Sequence, residues 1–67
     1  MKLCVEQRGP LYIGATLTTA RGMVVLRRWP WPGNEVGRER HLRAAKTYAN
    51  SVANVLTCPV EIAEVLQ

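Results

Sequence analysis

With 67 residues, 48% of them apolar, and a net charge of +4, the chain is expected to form one small domain spanning residues 1–67. The composition argues against intrinsic disorder, and the length allows only a small core. Such a domain buries only about 60% of the surface its unfolded chain exposes, so a disulfide, a metal, a partner or very regular packing must support it.

Phenylalanine is absent, so the core must come from Leu, Val, Ile and Ala. Cys4 and Cys58 match no zinc or redox spacing and read as small core hydrophobes, with a disulfide between the chain ends as the alternative. The start, Met1-Lys2-Leu3-Cys4, leads to Glu6 and Arg8 rather than into an apolar signal segment. No apolar run reaches the roughly 18 residues of a spanning helix. A cytoplasmic protein without membrane contact is the expectation.

Lys2 to Glu6 alternates, with Leu3 and Val5 on one side, and Gly9-Pro10 marks a turn. Leu11 to Thr18 alternates again: Leu11, Ile13, Ala15 and Leu17 against Tyr12, Gly14, Thr16 and Thr18. Thr19-Ala20-Arg21-Gly22 reads as a hairpin connection, and Met23 to Arg28 as a third strand with Val24 and Leu26 as its core pair. The prolines of Trp29-Pro30-Trp31-Pro32-Gly33-Asn34 stop that strand and form an elbow. Asn34 is the candidate N-cap of a long helix, although Gly37 weakens its start and regular helix is also compatible with a start near Arg38. Leu42, Ala45, Ala49, Val52 and Leu56 recur at offsets of three and four, forming one apolar stripe. Pro59, with Glu61 behind it, predicts a short C-terminal helix running toward Leu66. The expected fold is therefore α+β: a three-stranded antiparallel sheet (β-β-β) packed on one long amphipathic α-helix, with a short helix at the end. A hairpin with two helices is the alternative, should Met23 to Trp31 stay unpaired.

Catalytic chemistry finds little material. Aspartate is absent, and the single serine, Ser51, lies ten positions from the single histidine, His41, on the same predicted helix. That separation is about 15 Å along the axis, too far for a direct hydrogen bond. His41 reads as a solvated helix residue beside Arg40 and Arg43. No phosphate-cradling glycine motif occurs and no metal-ligand spacing converges, so neither enzyme activity, metal nor cofactor is expected.

The distinctive segment is Arg21 to Lys46. It holds Arg21, Arg27, Arg28, Arg38, Arg40, Arg43 and Lys46 against only Glu35 and Glu39, together with Trp29 and Trp31. Arginine outnumbers lysine, and its planar fork binds carboxylate or phosphate in two-point fashion. Arginines early in a helix also oppose its dipole, a cost that service to a partner explains. A solvated face, with Glu35 pairing Arg38 and Glu39 pairing Arg43, is the plainer reading. The tryptophans either close the end of the core or, as alternate residues of an extended segment, present one flat platform.

The expected partner-binding residues are thus Arg27, Arg28, Trp29, Trp31, Arg38, Arg40, Arg43 and Lys46. They suit a non-enzymatic interaction module or inhibitor, of the kind phages and mobile elements encode, acting on an acidic surface of a protein or nucleoprotein. A small basic DNA- or RNA-binding domain is the alternative. Its shape resembles domains that lay a three-stranded sheet in the major groove, a likeness of fold alone. A homodimer is also expected to be possible, because the outer sheet face (Cys4, Tyr12, Thr16, Met23, Val25) reads as more apolar than a solvated face requires.

Overall fold

The computed structural model describes residues 1–66. Strands β1 (Lys2–Arg8), β2 (Tyr12–Thr19) and β3 (Gly22–Pro30) form the expected antiparallel meander, and α1 (Glu35–Leu56) follows. The end of the chain differs from expectation. In place of a short helix after Pro59 there is a fourth strand, β4 (Val60–Ile62), and then a single 3-10 turn at Glu64–Leu66. β4 pairs in parallel with β1, so the sheet is mixed, in the order β3-β2-β1-β4.

Backbone satisfaction explains the fourth strand. Without it one edge of β1 would be open; with it Leu3 N donates to the Pro59 carbonyl and Ala63 N to the Val5 carbonyl, both at 2.9 Å. Val60 and Ile62 turn onto the core side, and Glu61 turns outward to meet Lys2 at 2.7 Å. The hydrogen bond and the charge of Glu61 hold the Lys2 ammonium above its usual pKa.

Asn34 caps α1 as expected. Its backbone is extended and its side-chain oxygen accepts from Gly37 N at 2.7 Å, so regular helix begins at Glu35. Gly37 is required by close approach, because a Cβ there would lie 2.6 Å from Pro32 Cβ. Gly37→Ala would gain about 1 kcal/mol in an isolated helix. Here it should lower stability instead, since the Pro32 elbow must move; a raised urea midpoint would show that the elbow yields freely. At the far end Thr57 takes the left-handed conformation with φ 55°, and Pro59 prevents continuation.

The core lies between sheet and helix. Leu3 and Val5 of β1, Ile13 and Ala15 of β2 and Trp29 of β3 meet Ala45, Ala49 and Ala53 of α1, and Leu66 closes one end. Three alanines on the contact line let the helix sit close to the sheet. Leu42 and Val52 pack at its margin, whereas Leu56 is exposed.

Two expected core residues are not in the core: Val24 is 54% exposed and Leu26 38%. For Leu26 the cause is a β-bulge. Ala15 pairs with Arg27 but Thr16 pairs with Val25, which leaves Leu26 as the extra residue and reverses the facing of everything after it. Arg27 and Trp29 therefore face α1, and Arg28 faces away. Val24 keeps the helix side beside Leu17, but α1 packs on β1, β2 and β4 rather than over β3. Leu11, expected under the helix, sits exposed in the turn before β2.

Over β1 and β2 the outer sheet face is partly covered by its own side chains. Thr16 is 2% exposed and donates to Glu6 Oε1, Glu6 pairs with Arg8, and Arg28 lies 5.1 Å over the Tyr12 ring. Exposed apolar surface gathers instead along β3, at Met23, Val24 and Leu26. Cys4 and Cys58 are free thiols, both half-buried.

Candidate functional site: a cationic groove beside β3

The bulge and the helix together create the groove. By turning Arg27 toward α1, the bulge places its guanidinium 5.2 Å from the Trp29 ring and 5.6 Å from the Tyr48 ring. The two rings meet edge to face with centroids 5.5 Å apart. A guanidinium held over two aromatic faces is fixed in position while its N–H groups remain free to donate.

Arg40 and Arg43, one turn apart on α1, form the opposite wall. With Arg27, Trp29, Ala44, Thr47 and Tyr48 they line an open groove of about 440 Å³. Among the described residues no carboxylate lies within 4 Å of Arg27, Arg40 or Arg43; the ion pairs are Lys2–Glu61, Glu6–Arg8 and Glu35–Arg38. Three cations around an aromatic floor, with no described carboxylate within 4 Å of them, form an anion-accepting surface.

The other anticipated residues divide. Lys46 continues the helix wall, lining a shallower groove with Glu39, Leu42 and Arg43. The expected Glu39–Arg43 pair does not form within 4 Å, so Arg43 stays available. Arg38 is turned inward: it pairs with Glu35 at 3.9 Å and its Nε donates to Gln7 Oε1 at 3.4 Å, which ties α1 to β1. Arg28 lies on the opposite sheet face over Tyr12, away from the groove. Trp29 is 8% exposed and belongs to the core, while Trp31 is half-buried in the elbow with its backbone N–H donating to the Leu11 carbonyl. The pair therefore offers no shared flat platform. His41 is half-buried rather than solvated; its Nδ1 donates to the Pro30 carbonyl at 2.8 Å, fastening the elbow to the helix.

Tyr48 is the groove residue that reading the sequence overlooked. It stands three positions after Ala45 and four before Val52, so the helical stripe itself contained the signal. Arg27's place over it depends on strand register and has no local mark.

No group of three or more His, Cys, Asp or Glu among the described residues is arranged to hold a metal. No helix among them is long and apolar enough to cross a membrane. In comparisons with protein-family models, curated proteins and solved structures, the chain matches none.

Proposed function

We propose that this protein is a small non-enzymatic interaction module, acting as an inhibitor or adaptor, that holds an acidic surface of a protein or nucleoprotein partner against the Arg27–Arg40–Arg43 groove. One observation carries the reading: three arginines converge on an aromatic floor with no described carboxylate within 4 Å of them. Arg40 and Arg43 lie beyond the first turn of α1 and pair with no described carboxylate within 4 Å, so they bring the fold no evident benefit. The groove supplies no nucleophile–base pair, which favours binding over catalysis.

Succession of Arg40, Arg43 and Lys46 along one helix supports the alternative, a nucleic-acid backbone. Burial of Trp29 favours the protein partner, because stacking on bases needs an open ring face. Capture from a nuclease-treated and an untreated lysate, run beside an Arg40→Gln, Arg43→Gln double variant, tests the reading. The expected result is a discrete protein that survives nuclease and is not recovered by the variant. Recovery that vanishes with nuclease establishes the nucleic-acid alternative, and equal recovery by wild type and variant removes the groove from function.

A further inference from the structure

Beside the groove runs an unused strand edge. β3 is nine residues long and among the described residues pairs only with β2, so a row of its backbone N–H and C=O groups has no strand partner there. Of those nine residues Trp29 alone is buried. The middle of the strand, Met23-Val24-Val25-Leu26, carries no charge. Protected edges are short or carry lysines or inward charges. Here such devices are confined to the strand's second half, in the Leu26 bulge, the arginines Arg27 and Arg28, and Pro30 at the end, and the first half carries none.

Resting on the acidic-partner reading above, we infer that the partner docks as an extended acidic strand, added to the free edge of β3 as a fifth strand of the sheet. Geometry links edge and groove. A strand added there lies about 4.8 Å beyond β3, and its alternate side chains stand on the helix side about 7 Å apart. That is the space Arg27 faces from β3 and that Arg40 and Arg43 face from α1. Carboxylates at alternate positions of the incoming strand meet these guanidiniums. The residues between them fall on the outer side, against Met23 and Val25. Backbone pairing supplies affinity, and the arginines choose an acidic sequence.

Charge decides against a second copy of the chain as the occupant. Two β3 edges paired about a two-fold axis would set both copies' Arg27, Arg40 and Arg43 clusters on one sheet face. No described carboxylate is placed between them to offset the repulsion.

The test uses a capped peptide as long as β3, with Glu at alternate positions and Val or Thr between. It is titrated into 15N-labelled protein at low salt. Two analogues, each N-methylated on one of the two alternating sets of backbone nitrogens, keep every charge but block one edge of the peptide. The parent should bind and protect β3 amides from hydrogen exchange. One methylated analogue should lose about tenfold or more in affinity, and the other, blocked on its solvent edge, should not. If both analogues bind like the parent, strand addition is overturned while the acidic-partner reading stands. Binding of oligothymidylate but not of the peptide overturns the inference in favour of a phosphate backbone. Should neither probe bind, the acidic-partner reading falls and the inference with it. Protection of β3 that rises with protein concentration alone would give the edge to a second copy, which also overturns it.

Discussion

An Arg40→Gln, Arg43→Gln double variant should lose on the order of a hundredfold in affinity for its acidic partner while keeping its fold. The affinity figure follows from the low end of measured couplings for close charge pairs, about 1.5 kcal/mol each, at 1.4 kcal/mol per tenfold. Stability should change by less than about 1 kcal/mol, because both side chains are exposed and neither has an ion pair to lose among the described residues. Removal of two like charges from one helix face can even raise it slightly. Salt titration then separates the partner classes. On duplex DNA the plot of log K against log salt falls by about 0.9 per phosphate contact, so each arginine removed should flatten it by about one unit. On a protein the loss should appear mainly as slower association, with a smaller effect on dissociation. Full affinity in the double variant would detach the groove from binding.

Trp29→Ala should remove from about a third to all of the domain's stability. Trp29 is the largest residue in the core, pairs across the sheet with Ile13, and supports both the Tyr48 ring and the Arg27 guanidinium. Truncating a buried tryptophan costs about 3–5 kcal/mol. A domain of this length holds only roughly 3–10 kcal/mol in total. Circular dichroism on heating reads the effect directly, and a melting curve unchanged from wild type would place Trp29 outside the core. Trp29→Phe, which keeps an aromatic ring under Arg27, should recover much of the loss.

How far the chain could be read beforehand depended on the length of each pattern. The alternation of Leu3–Val5 and Ile13–Ala15–Leu17, and the stripe through Ala45, Ala49 and Val52, repeat often enough to declare strand and helix. Asn34 announced its own cap. β4 did not show, because three residues with Val60 and Ile62 about Glu61 are too few to tell a strand from one helical turn, and Pro59 is tolerated before either. The bulge at Leu26 carries neither glycine nor proline, so nothing local distinguishes it from continuous alternation. That one residue took Leu26 out of the expected core and decided which of two adjacent arginines faces the groove, whereas Val24 is exposed because α1 does not reach over it. Arg27, Trp29, Arg40 and Arg43 were anticipated as site residues and do come together; Arg28 and Arg38 were anticipated and are held elsewhere.

The parallel seating of β4 on β1 also determines how the molecule carries load. Because the two strands run the same way, Lys2 at the start of β1 and Ile62 at the end of β4 lie at opposite ends of their shared ladder. Tension applied at the two ends of the chain therefore slides β1 and β4 along each other. It strains the bonds between Leu3 and Pro59 and between Val5 and Ala63 together, instead of peeling them apart in turn. The β2–β3 hairpin lies outside that line of force, so a domain pulled in this direction keeps its β3 edge and groove intact until the seam itself shears.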